Sequence, residues 1–182
     1  MEKVVGVEVE RMSRLVEDML LLAQVGEEEF LRPSVIEVRP FVQDLVRGLS
    51  DVAPRRLVVR AIPELLIEAD EDRLAQALRN LLRNAIAHTA DDGAVELGVE
   101  TAGGRVLFVV DDDGPGIPPD QRAAVFDRFR RLDGGRARDA GGAGLGLAIV
   151  QAIARAHGGR AWAGAAPSGG ARFVLAIPAR PS

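Results

Sequence analysis

Past Leu31 the apolar residues switch repeatedly between a spacing of two and a spacing of three to four, and this alternation leaves few folds open. Ser34–Val38 reads as a short strand, with Pro40 placed for the first turn of a helix reaching about Leu49. Arg56–Ile62 and Leu65–Ala69 read as strands separated by Pro63. Asp70 is an N-cap for a long helix through Leu74, Leu78, Leu81 and Ala85, ending near His88. Ala94–Thr101 and Arg105–Val110 form a hairpin about Gly103–Gly104. Gly146–His157 is helical, and Arg160–Ala165 with Ala171–Ile177 closes the chain as a second hairpin. The order β-α-β-β-α-β-β-α-β-β predicts a two-layer α/β sandwich, with a mixed β-sheet and helices on one face. The 182 residues, 47% of them hydrophobic and 27% charged, suffice for one good-sized core or one core plus a small appendage.

Residues 1–29 form that appendage. Val5, Val9, Met12, Val16, Met19 and Ala23 recur at alternating four- and three-residue steps, widened by Leu15 and Leu22. This is a heptad seam of about three repeats, marginal alone but able to pack against a partner helix. Gly26 and the run Glu27–Glu29 end it. A helix docked on its own domain would look similar; the regular seam favours a bundle helix that meets another chain or another helix.

Several chemistries are excluded. Lys3 is the sole lysine, so neither a phosphate-binding P-loop nor the protein-kinase β3 lysine is available. With no cysteine there are no disulfides and no thiolate metal sites, which fits a cytoplasmic setting. A net charge of −4 with six Phe and one Trp argues against a nucleic-acid surface. Neither a bilayer-spanning segment nor a signal peptide is read.

Four segments carry chemistry. Asn80, Asn84 and His88 lie four apart and stack on one side of their helix. They read either as surface residues with local hydrogen bonds or as hard-oxygen ligands of a Mg²⁺ shared with phosphate. In Val109-Val-Asp-Asp112-Asp-Gly114-Pro-Gly116-Ile117-Pro118 a strand runs into carboxylates and two glycines. Backbone can approach a ligand there, and Asp112 can accept from an exocyclic amine. A plain turn remains open; a calcium loop lacks its further acidic positions. Gly141-Gly142-Ala-Gly144-Leu145-Gly146-Leu147 opens a helix and so offers an anion site, or is a flexible loop. A Rossmann reading fails, because no βαβ unit of about thirty residues follows. Between the two loops Phe126-Asp-Arg-Phe129-Arg-Arg131 continues to Arg136 and Arg138, six arginines against two aspartates over residues 122–138. Such a stretch is a solvated basic loop or a lid whose guanidinium forks meet phosphate.

In this order and spacing the segments resemble the N, G1, F and G2 boxes of the histidine-kinase ATPase domain, whose superfamily includes gyrase, a heat-shock chaperone and the mismatch-repair ATPase. The resemblance covers roughly residues 32–178 and extends to Ala-His157-Gly-Gly after the last helix. It implies the Bergerat-type ATP-binding fold, with ATP and Mg²⁺ as ligands. Asn84 would be the metal ligand, supported by Asn80. Asp112 would hold the adenine amine, with Gly114, Gly116 and Ile117 shaping the base pocket and His88 beside the nucleotide. Arg131 and Arg136 would reach the phosphates, and Gly142, Gly144, Leu145, Gly146 and Leu147 would supply phosphate-side backbone. Ala87 departs from the Lys or Arg usual in the family, removing one phosphate contact.

Glu10-Arg-Met-Ser-Arg-Leu-Val-Glu-Asp-Met-Leu-Leu-Leu-Ala resembles the second helix of the family's dimerisation and phosphoacceptor hairpin. The division implied is 1–29 for that helix and 30–182 for the catalytic domain. The first hairpin helix, with its phosphorylated histidine, is not in the sequence, so the fragment should lack autophosphorylation and carry no catalytic residue of its own. It reads as a piece of the cytoplasmic part of a membrane-bound sensor that dimerises when whole. The implied activity is transfer of the γ-phosphoryl to a histidine on that hairpin, and then to a response regulator receiver domain. Two alternatives stay open: a nucleotide-binding module without transfer, and an anti-sigma-type serine kinase. The N-terminal helix and the missing glutamate before the N box weigh against the second.

Overall fold

The computed structural model describes residues 2–25, 30–50, 56–130 and 143–179. Its centre is a five-stranded sheet in the order β2 (Arg56–Val59), β4 (Ala94–Ala102), β5 (Arg105–Asp112), β7 (Ala171–Pro178), β6 (Arg160–Ala165). β2 runs parallel to β4, and every other pairing in that sheet is antiparallel, so it is mixed as expected. Alternation along β5 sends Val106, Phe108 and Val110 to one face. There they meet α3 (Glu71–His88), and α4 (Gly146–Ala156) lies beside α3 over β6 and β7.

α3 forms where the composition asks for it. The Asp70 carboxylate caps it by accepting from the Arg73 N–H at 2.9 Å, Glu71 and Asp72 occupy the first turn, and His88 the last. At the end of α4, His157 fastens the two helices together. Its Nε2 accepts from the Asp70 N–H at 3.0 Å, which leaves Nδ1–H to donate to the Ile153 carbonyl at 2.8 Å.

The structure differs from the sequence reading in three places. β1 (Ser34–Glu37) and β3 (Leu66–Ala69) do not join the main sheet but form an antiparallel ribbon of their own. α2 (Val38–Ser50) begins at Val38, whose N–H donates to Leu65, so Pro40 sits in its first turn and the strand stops one residue early. β2 ends at Val59 rather than Ile62, since the Ile62 carbonyl is taken by the Arg39 guanidinium at 2.8 Å.

α1 (Glu2–Gln24) uses its last turns to dock. Leu21 and Leu22 are buried in the common core and Leu15 packs against it, with α4 as the neighbouring helix. Of the seam itself, Val9, Met12, Val16 and Met19 are each at least half exposed. The helix therefore has two apolar sides, of which the α/β core covers one. No helix among the described residues is long and apolar enough to cross a membrane.

Candidate functional site

α3 has a polar edge because its apolar residues occupy the other side. Leu78, Leu81, Leu82 and Ala85 are fully buried, which leaves Asn80 and Asn84 half-buried and His88, in the final turn, exposed. From Asn80 to His88 this row spans about 12 Å of helix axis. Gly146, the first residue of α4, adjoins one end, where Asn80 Nδ2 donates to its carbonyl at 3.4 Å. At the other end Gly114 tucks under the last turn, so that a Cβ there would lie 2.6 Å from the His88 carbonyl oxygen. The two glycine loops are thus held apart by one helix face, with Asn84 midway.

Asp112 closes β5 and is almost wholly buried. Its Oδ1 accepts from the Gly114 and Ala171 N–H groups, each at 3.0 Å. Its Oδ2 is also buried and has no hydrogen-bond partner among the described residues. Burial raises its carboxyl above the usual carboxylate range, opposed by those two N–H donors and by nearby His88. A buried acceptor without a donor is costly, by about 1–3 kcal/mol, and native structures rarely leave one unmatched. An amino group brought by a ligand fits that deficit.

The neighbouring carboxylates serve different purposes. Asp111 points to the opposite sheet face, where Arg172 grips it bidentately and Arg60 Nη2 donates at 2.7 Å. Asp113 Oδ2 accepts from the Ala94 N–H at 2.9 Å and pins the loop to β4. Of three consecutive acids, only Asp112 is left with a buried, unmatched oxygen.

Gly116 takes φ +72°, with Gly169 packed where its side chain would start, and Ile117 is buried beside it. At the second glycine loop Gly144 has φ +73° and Leu145 is buried, while Leu147 packs on the core. Leu145 at the N-cap supplies no side-chain acceptor, so the first N–H groups of α4 suit an anion. The Phe129 N–H donates to the Gly144 carbonyl at 2.9 Å. Arg131, Arg136 and Gly142 lie outside the described residues.

One part of the site escaped the sequence reading. The turn between β6 and β7 forms a wall of the Asp112 environment: the Ser168 hydroxyl donates to the Asp112 carbonyl at 3.0 Å, and the Ala171 N–H donates to its carboxylate. Gly170 lies so close that a Cβ would collide with the Asp112 carbonyl oxygen. The signal available was Ser168-Gly-Gly between two strands, which reads as an ordinary hairpin turn.

A family profile described as histidine kinase-, DNA gyrase B-, and HSP90-like ATPase matches residues 69–181, a stretch that contains both glycine loops and the α3 row. The chain belongs to this ATPase family. The probable sensor histidine kinase TcrY of Mycobacterium tuberculosis is 37% identical over 176 residues, which is 96% of this chain and 37% of TcrY. The sensor protein kinase WalK of Staphylococcus saprophyticus is 34% identical over 176 residues, 94% of this chain and 29% of WalK. Full-length ShkA, solved in complex with AMPPNP, matches with a TM-score of 0.77 at 34% identity, over 98% of this chain and 39% of ShkA. The chain spans about a third of the length of these curated relatives, and what it shares with them is the ATP-binding catalytic domain.

Proposed function

We propose that residues 30–182 bind Mg-ATP and transfer its γ-phosphoryl to a histidine on a dimerisation hairpin, for passage to a response regulator receiver domain, and that residues 1–29 are the second helix of that hairpin. The observation that carries the nucleotide half is the unmatched, buried Oδ2 of Asp112, beside a loop whose glycines keep side chains away. In this reading Asp112 accepts from the adenine amine, Gly114, Gly116 and Ile117 wall the base, and His88 lies beside it. The backbone of Gly142, Gly144, Leu145, Gly146 and Leu147, with Arg131 and Arg136, faces the phosphates. AMPPNP in ShkA is an ATP analogue, which favours this assignment.

Asn84 is the proposed Mg²⁺ ligand, with Asn80 holding Gly146 in place behind it. The donor offered is a neutral amide oxygen, and among the described residues no group of three or more acids, histidines or cysteines could cage a metal. Such a donor set suits a hard cation that completes its shell with water and phosphate. When bound, the metal would offset charge on the phosphates, while the chain orients them. Asn84→Ala is expected to erase the Mg²⁺ dependence of ATP binding while leaving metal-free affinity in place. Titrations with and without Mg²⁺ check this, and an undiminished metal effect in the variant removes Asn84 from the site.

The acceptor histidine is assigned to the hairpin because the chain's two histidines are unsuited. His157 has both ring nitrogens engaged, and His88 belongs to the base pocket. Transfer forms an N–P bond to the imidazole and releases ADP. With labelled ATP the chain alone should yield no acid-labile label, and label should appear on a histidine-bearing hairpin added in trans. Label on His88 or His157 defeats the assignment; an unlabelled hairpin under conditions where ATP binds favours a nucleotide-binding module without transfer. The exposed α1 seam supports pairing of two copies in a longer, dimeric sensor whose catalytic part is cytoplasmic.

A further inference from the structure

We propose that Asp112 reads the nucleobase in two opposite senses, accepting from a 6-amino purine when ionised and donating to a 6-oxo purine when it carries a proton. The inference rests on the base-binding reading above. Two backbone N–H groups, from Gly114 and Ala171, take up Oδ1 from two directions. Each carboxylate oxygen has about two lone-pair sites, so both on Oδ1 are occupied and an added proton enters at Oδ2. That is the buried atom without a partner among the described residues. Ionised and protonated Asp112 therefore have the same shape and differ at one atom, a bare acceptor or an O–H donor.

The two states suit different bases. Adenine carries an amino group at ring position 6 and hypoxanthine an oxygen, with little change in size. An Oδ2 acceptor meets the amine, whereas an Oδ2–H meets the oxygen. Buried carboxyls can act as donors near neutral pH when their surroundings penalise charge. Burial works in that direction here, and the groups facing Asp112 partly compensate one another: His88 from α3 favours the ionised form and Asp113 from its own loop opposes it. The β6–β7 turn brings only Ser168 and backbone, and Asp111 with Arg172 pair on the far face of the sheet.

The substitution Asp112→Asn fixes the protonated pattern. With its oxygen held by the same two N–H groups, the side-chain amide of that variant presents NH₂ where Oδ2 was. The test is calorimetric titration of the whole chain with Mg-ATP and Mg-ITP between about pH 5 and pH 8, for the parent and Asp112→Asn. Taking the ratio of the two affinities cancels the shared triphosphate and its own titration. The ITP-to-ATP affinity ratio of the parent should rise by about threefold or more as pH falls, and in Asp112→Asn it should be high and flat. A constant ratio in the parent, with ATP still weakened in Asp112→Asn, overturns the inversion and leaves the base contact standing. A ratio that still rises in Asp112→Asn places the titration elsewhere and also overturns it. Unchanged ATP affinity in Asp112→Asn at the alkaline end removes Asp112 from base binding, which is failure of the underlying reading instead.

Discussion

Asp112→Asn should weaken ATP binding about ten- to a hundredfold at neutral pH, the loss of one charge-assisted hydrogen bond, yet leave the nucleotide-free chain as stable or more stable. The opposite signs follow from burial, which raises the folded pKa of this carboxyl above its ordinary value. A group shifted in that direction contributes most stability below the unfolded carboxylate value of about 3.9. That contribution is lost as pH rises through the raised folded value. At neutral pH the ionised form is therefore held at a cost that a neutral amide avoids, and Asn retains an oxygen for the Gly114 and Ala171 N–H groups. Thermal melts should show the variant's advantage shrinking as pH is lowered. A variant that is less stable at neutral pH, by as much as its ATP binding falls, would mean that Asp112 is chiefly structural.

Gly170→Ala should be damaging on both counts. The added methyl would collide with the Asp112 carbonyl oxygen and sit 2.7 Å from its carbon and 2.8 Å from Oδ1. The carbonyl belongs to a paired strand and cannot rotate away as a flexible side chain would. Overpacking of this kind costs about 1–3 kcal/mol, and rigid backbone puts this case at the upper end. Because the displaced atoms include Oδ1, ATP affinity should fall along with the melting temperature. Gly164→Ala, with nothing within 4 Å of its new Cβ, is the control and should stay within about 0.5 kcal/mol. Equal melting temperatures for the two variants would show that the turn has room to yield.

Much of this was legible in the residues. Asp70 and the buried Leu74, Leu78, Leu81 and Leu82 set out α3, so the polar row Asn80, Asn84, His88 could be placed on one edge of it from spacing alone. The strand-exit acids were also visible, but their division of labour was not. Periodicity alone puts Asp111 and Asp112 on opposite faces; only the fold brings Arg60, fifty-one residues away, and Arg172 onto Asp111. Ser168 and Gly170 were illegible for a similar reason: they matter through contact with β5, and nothing local distinguishes them from any hairpin turn. The separate β1–β3 ribbon was missed because strand propensity reports that a segment is extended, not which neighbour it pairs with. On α1 the spacing reads the seam and its flanking leucines as one stripe, whereas Leu15, Leu21 and Leu22 meet the core and Val9, Met12, Val16 and Met19 stay outside.

β5 carries Asp111 and Asp112 in successive positions and is hydrogen-bonded to a neighbour along both edges. A slip of one residue in its pairing would exchange every face along it. The acid that balances two guanidinium groups would then be turned into the interior, and the interior acid out against the arginines. Each would be in the wrong solvent and beside the wrong partners, although no residue had changed. Insertions or deletions within β5 should therefore be tolerated far less than substitutions on its outer face. In the proposed reading of Asp112, selectivity for a base is a property of strand alignment before it is a property of any single side chain.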